Sequence, residues 1–114
     1  MVNNSNETLD RVFAALSDPT RRQILAHLAE GEAPVTDLAA PFDMSLPAVS
    51  KHLKVLERAG LVSRRREGRL HLCRLNADPM KDVADWIEDY TQFWSGRLDA
   101  LAKFVEGDGS QDHE

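Results

Sequence analysis

The sequence is poor in the residues that reactive chemistry needs. It holds one cysteine, Cys73, in 114 residues, so no internal disulfide can form, as expected of a protein kept in a reducing compartment. No run approaches the roughly 18 consecutive apolar residues of a membrane span. The opening, MVNNSNETLD, lacks both the basic region and the apolar core of a signal peptide. A cytoplasmic protein without a membrane partner is the expectation. The patterns GxSxG, GxxxxGKS/T, GxGxxG and HExxH are all missing, and with them the usual serine nucleophile, phosphate cradle, dinucleotide turn and zinc pair. No catalytic residue and no cofactor is expected. Basic charge is short as well, with 14 Lys and Arg against 19 Asp and Glu and a net charge of −5.

That shortage is uneven. Residues 45–75 carry eight basic side chains, Lys51, Lys54, Arg58, Arg64, Arg65, Arg66, Arg69 and Arg74, against Glu57 and Glu67, a local charge of +6. The remaining six basic and seventeen acidic residues leave −11 elsewhere. A compact basic segment in an acidic chain steers a polyanion to one face and repels it from the others; a solvated charged face is the plainer alternative. With 42% apolar residues, a chain of this length buries roughly two thirds of its unfolded surface without a metal or disulfide scaffold. One domain over residues 7–106 is expected, with polar tails at 1–6 and 107–114.

Hydrophobic spacing divides the chain. Leu9, Val12, Phe13 and Leu16 predict a helix over 7–16. Asp18-Pro19 stops it and starts another over 19–29, with Asp18 as N-cap and Gly31 as C-cap. Thr36 is placed as N-cap of a short helix over 36–42. Ser45 caps a helix over 46–59, whose Val49, Leu53 and Leu56 turn inward while Ala48, Lys51, His52, Lys54 and Arg58 face outward. Gly60 ends it. Two short helices joined by a tight turn, the second with an exposed basic face, form the pattern of a helix-turn-helix.

Beyond Leu61 the period changes to two. Val62–Arg66 and Arg69–Leu75 flank Glu67-Gly68 as a hairpin, with Gly68 at positive φ. Like charges on paired strands repel, so an anion is expected to offset the hairpin's five arginines. Asp78 and Pro79 then open a helix over 79–106, where Met80, Val83, Ile87, Tyr90, Trp94, Leu98, Leu101 and Val105 form a stripe widened by Trp86, Phe93 and Phe104. Such a helix is about 42 Å long, more than a domain of this size covers with its own core. Its surplus apolar stripe points to a partner helix. The expected class is mainly α with a small β-hairpin, a winged helix-turn-helix flanked by N- and C-terminal dimerisation helices. Leu9, Phe13, Val83, Ile87, Tyr90, Trp94, Leu98 and Leu101 are the candidate interface of a homodimer.

The segments SDPTRRQIL at 17–25 and PAVSKHLKVLERAGLV at 47–62 resemble the arsenic-repressor (ArsR) family of small bacterial transcriptional regulators. The likeness covers residues 7 to 105. It implies a homodimer that binds an inverted-repeat DNA operator and represses transcription. By that similarity the helix 46–59 enters the major groove: Ser45, Ser50 and His52 exchange hydrogen bonds, Lys51 and Lys54 supply charge, and Pro47 and Ala48 allow close approach. Leu46 departs from the glutamine frequent in the family. His52 has a second reading, as a helix residue packed near Arg58. In the wing, Arg65, Arg66 and Arg69 are the candidates for phosphate or minor-groove contact, while Arg64 and Arg74 are placed against acidic neighbours. Arg21 and Arg22 are expected to tie the second helix to the first.

The resemblance also exposes absences. The segment 35–43 has no cysteine where thiolate-based sensors carry Cys-x-Cys, and the helix 79–106 has no histidine where zinc sensors place paired ligands. His71 and Cys73 share a strand face, and Asp112, His113 and Glu114 lie together in the tail, both weak as metal sets. A metal- or redox-responsive repressor, with Cys73 as the redox element, and a dimerisation module without specific DNA binding remain the alternatives. A small apolar effector beside Trp86, Tyr90 and Trp94 is a further option.

Overall fold

Asp18 sets the first corner of the fold. Its carboxylate accepts the amides of Thr20 and Arg21, at 2.7 and 3.3 Å, and so starts α2 (Pro19–Leu28) immediately after α1 (Val2–Leu16). The computed structural model describes the backbone of residues 2–113 and the side chains of 7–107. The polar ends expected at 1–6 and 107–114 therefore lie outside the described side chains, Gly107 apart. The terminal helices run further out than the predicted bounds of 7 and 106. Ala29, not Gly31, is the C-cap of α2.

A two-residue strand, β1 (Ala33–Pro34), leads directly into α3 (Val35–Ala39). No side chain caps α3. Pro34 occupies the capping position, and Thr36, expected there, lies inside the helix. In α4 (Leu46–Arg58) the Ser45 hydroxyl accepts the Ala48 amide at 3.3 Å, and Pro47 sits in the first turn, where its missing N–H costs nothing. The helix closes with paired bonds from the Gly60 amide to the Glu57 carbonyl and from the Leu61 amide to the Leu56 carbonyl, both 2.9 Å. This closure needs a left-handed residue. Gly60 supplies it, at φ 79°.

The hairpin of β2 (Val62–Glu67) and β3 (Leu70–Leu75) turns at Gly68, φ 62°. All pairing is antiparallel in the order β1-β3-β2, with Ala33 opposite Cys73 and Arg65 opposite Leu72. Asn76 fastens the hairpin base: its amide donates to the Leu61 carbonyl, its side-chain Nδ2 to the Gly60 carbonyl, and its Oδ1 accepts the Asp78 amide. The side-chain acceptor at the start of α5 (Asp78–His113) is thus Asn76 rather than Asp78.

Two compact units result, residues 1–83 and 84–114. In the first, Val12, Ile24, Leu28, Leu38, Val49, Leu53, Leu56, Leu61 and Cys73 are at most 3% exposed and form one core. Each such aliphatic side chain contributes about 1.5–3 kcal/mol on leaving water. Val83, expected at the dimer interface, is also only 3% exposed and belongs to this core. It stabilises the protomer and offers no surface to a partner.

The second unit is helix alone. Trp86 stacks on Tyr90 with ring centroids 5.0 Å apart, Trp94 meets Tyr90 edge-on at 6.0 Å, and Arg97 lies 4.3 Å from the Phe93 ring centre. Trp86, Ile87, Tyr90, Phe93, Trp94, Leu98, Leu101, Phe104 and Val105 are each 43–68% exposed. Among the described residues, no helix is long and apolar enough to cross a membrane.

Candidate nucleic-acid interface

Burying Val49, Leu53 and Leu56 fixes the rotation of α4 and turns the opposite side outward. Leu46, Pro47, Lys51 and Lys54 are exposed there, while Ala48, Ser50 and His52 are half-buried along the flank. A cleft of about 290 Å³ separates the head of α4 from the wing, lined by Thr36, Leu46, Ser50, Arg64, Arg69 and His71 among others. Of the expected contact residues, Ser50 of α4 and Arg69 of the wing thus line one cleft. Leu70, 49% exposed, brings to it an apolar contact that the strand pattern had not singled out.

The arginines divide by partner. Arg64 pairs with Glu57 of α4, as expected of an arginine set back from the tip. Arg65, a candidate for DNA contact, is held by the chain in this structure. Its Nε and Nη2 donate to the two carboxylate oxygens of Glu32, both at 2.9 Å, and Nη1 to Glu67 at 3.2 Å. The planar fork of a guanidinium matches a carboxylate in this way. Part of the anion expected to offset the hairpin is thus internal, in Glu32, Glu57 and Glu67. Arg74 adds its charge to the field at Glu32. Among the described residues no ion pair engages Lys51, Lys54, Arg66 or Arg69. Arg66 Nε donates to the Gly68 carbonyl at 3.3 Å.

Arg21 and Arg22 hold the scaffold together, as the sequence suggests. Arg21 Nε and Nη2 donate to the carbonyls of Ala15 and Ala14, and Arg22 Nη1 to that of Leu16, so both cap the last turn of α1. The third Arg21 bond, from Nη1 to His52 Nδ1 at 3.1 Å, ties α2 to α4. His52 therefore partners Arg21. Neither this link nor Glu32 with Arg65 could be read from sequence, because 31 and 33 residues separate the partners.

Cys73 is fully buried, and its desolvation pushes the thiol pKa up against the opposing charge of Arg64. A thiol held in its neutral form is a poor nucleophile. Among the described residues no three His, Cys, Asp or Glu side chains gather as a metal site. The set Asp112, His113 and Glu114 lies outside the described side chains.

The Arg65 guanidinium holds the Glu32 carboxyl below the usual carboxylate range. A depressed carboxylate stabilises the fold above its unfolded pKa, and that contribution disappears as pH falls through the lower folded value. The clamp is therefore complete at neutral pH and lost well below about pH 4.3. Glu32→Gln is expected to remove the charged fork that holds Arg65, leaving only the exposed Glu67 contact at neutral pH. Fluorescence anisotropy should then find tighter non-specific duplex binding and a logarithmic salt dependence steeper by roughly one contact. An unchanged slope would mean that Arg65 has no path to phosphate.

Known proteins agree with this geometry. A family model described as a helix-turn-helix domain matches residues 16–65. The chain is 37% identical over 82 residues to the transcriptional repressor SdpR of Bacillus subtilis, a match spanning 72% of this chain and 91% of SdpR. An ArsR-like transcriptional regulator from Rhodococcus sp. RHA1 superposes with a TM-score of 0.75 at 33% identity, over 90% of this chain and 95% of that one. The homodimeric winged helix-turn-helix DNA-binding domain of Mb0332 from Mycobacterium bovis superposes with a TM-score of 0.61 at 31% identity, over 76% and 82% of the two chains.

Proposed function

The chain belongs to the ArsR family of winged helix-turn-helix transcriptional regulators, and from that premise we propose that it is a homodimeric, sequence-specific repressor of an inverted-repeat operator. Residues 7–106 act as its working domain, and it is not an enzyme. The observation that carries this reading is the cleft between α4 and the wing, lined by Leu46, Ser50 and Arg69 among others, together with Lys51, Lys54, Arg66 and Arg69, for which no ion pair is found among the described residues. On this reading α4 enters the major groove, its first turns meet base edges, and the wing arginines hold backbone phosphate. The aromatic face of residues 86–105 pairs two copies, so that their α4 helices meet successive major grooves roughly 34 Å apart.

Lys51 and Lys54 supply charge beside the bases. Ser50 exchanges hydrogen bonds there, and Pro47 and Ala48 permit close approach. Ser45 already spends its acceptor on the Ala48 amide, which leaves its hydroxyl proton for a phosphate oxygen. Arg65 takes a reserve position behind Arg66 and Arg69, because Glu32 and Glu67 occupy it. Any effector is a small apolar molecule at the aromatic helix.

Selection of bound duplexes from a random pool tests the reading. An inverted repeat bound roughly a thousandfold tighter than scrambled DNA is the expected result. Arg66→Ala with Arg69→Ala should then flatten the salt dependence by roughly one unit per lost phosphate contact. Salt-sensitive binding with no enriched sequence would reduce the protein to a non-specific DNA binder, and no binding at low salt would sink the proposal.

A further inference from the structure

Arginine cannot lose its proton in a protein, so a guanidinium beside an imidazole nitrogen can only donate. Arg21 Nη1 lies 3.1 Å from His52 Nδ1, which makes Nδ1 the acceptor and puts the ring's single proton on Nε2. Arg21 is itself fixed, because its other two bonds end on the Ala14 and Ala15 carbonyls. The Asp18 carboxylate accepts the Thr20 and Arg21 amides, makes no hydrogen bond to the ring among the described residues, and acts on His52 only through its charge. Among the described residues His52 Nε2 has no hydrogen-bond partner. Nor is any unpartnered side-chain nitrogen or oxygen buried, so Nε2–H opens to solvent. His52 lies one turn beyond Ala48 on the same flank of α4.

From this arrangement we infer that Arg21 is a positioning residue for DNA recognition: it locks His52 in the Nε2–H tautomer, and His52 thereby presents one N–H to an acceptor on the duplex. The inference rests on the DNA-binding reading above. The acceptor is either a base-edge atom in the major groove, such as purine N7, or a phosphate oxygen, since both take a single N–H. With the tautomer fixed in advance, His52 offers no acceptor and discriminates against a cytosine or adenine amino group. A histidine free to exchange its proton would accept from such a group equally well.

The test combines a spectrum with binding to the duplex selected from the random pool. Nitrogen-15 spectra of histidine-labelled protein should find His52 as the pure Nε2–H form, and folded Arg21→Met, which offers no donor, should mix the two tautomers. The amide nitrogen of glutamine reaches about as far as Nε2, whereas that of asparagine reaches only as far as Nδ1. His52→Gln is therefore expected to keep affinity within about threefold, and His52→Asn to lose roughly tenfold. Replacing one purine by its 7-deaza analogue should abolish the Asn effect if the acceptor is a base edge, and a single methylphosphonate should do so if it is phosphate. An Nδ1–H tautomer in the wild type, equal affinities for the Asn and Gln variants, or no coupling in either duplex series would overturn the inference. Failure of the wild type to bind any duplex would instead refute the DNA-binding reading itself.

Discussion

Trp94→Asp is expected to convert a dimer at micromolar concentration into monomers. Trp94 is 45% exposed in the protomer and lies edge-on to Tyr90, with Ile87 and Leu98 also open to solvent. Nine large apolar residues exposed between 86 and 105 form a patch of the kind that soluble proteins cover with a partner. Each aromatic buries about 150–250 Å² when covered. A carboxylate at the centre of that contact loses its water without gaining a partner, a penalty of several kcal/mol, and every 1.4 kcal/mol is tenfold in the dissociation constant. A rise of at least about a thousandfold should follow, read by sedimentation or light scattering. Operator affinity should fall with it, because two half-sites held by one dimer become two separate weak sites. Trp94→Phe, which retains an aromatic ring, should remain dimeric. A dimeric mass for Trp94→Asp would remove this helix from the interface.

The second large effect is on stability. Leu53 is fully buried in α4 among residues from α1, α2, α3 and the hairpin, and truncating such a leucine costs about 2–5 kcal/mol in lost transfer energy and residual cavity. For a unit of this size each kcal/mol lowers the melting temperature by about 4–8 °C. Leu53→Ala should therefore melt some tens of degrees earlier by circular dichroism. At low temperature the folded fraction should keep the wild-type salt dependence, since Leu53 presents nothing to DNA. A stability loss under about 1 kcal/mol would contradict the packing described for α4.

What could be read in advance was local. Asp18-Pro19, Ser45 and Gly68 act within three or four residues of themselves, and each does what its chemistry suggests: a carboxylate and a hydroxyl take orphan amides, and a glycine turns a hairpin. The inward stripe Val49, Leu53, Leu56 was legible because helical period alone decides it. Thr36 failed as a cap because the chain enters α3 directly from β1, a strand of two residues that leaves no alternation to detect. Val83 fitted the long apolar stripe equally well whether it faced the core or a partner, and only the fold separates the two. Arg65 has a partner that its residue type could not reveal, because Glu32 is distant in sequence. Asn76 was not singled out, since two of its three bonds depend on where α4 ends relative to the hairpin.

The division of α4 into two sides bears on how such a protein changes its target. Its core positions, Val49, Leu53 and Leu56, are separate from the exposed Leu46, Pro47, Lys51 and Lys54. Exchanges at exposed helix positions away from caps typically shift stability by no more than about 0.5 kcal/mol. If α4 reads the operator as proposed, a new preference can be written into Leu46, Lys51 and Lys54 while the scaffold stays intact. Ser45 and His52 are the exceptions, because one starts the helix and the other is tied to Arg21. A duplicated copy of this gene could drift toward a different promoter through three side chains without passing through an unfolded intermediate. The same three positions are where a designer would begin to retarget it.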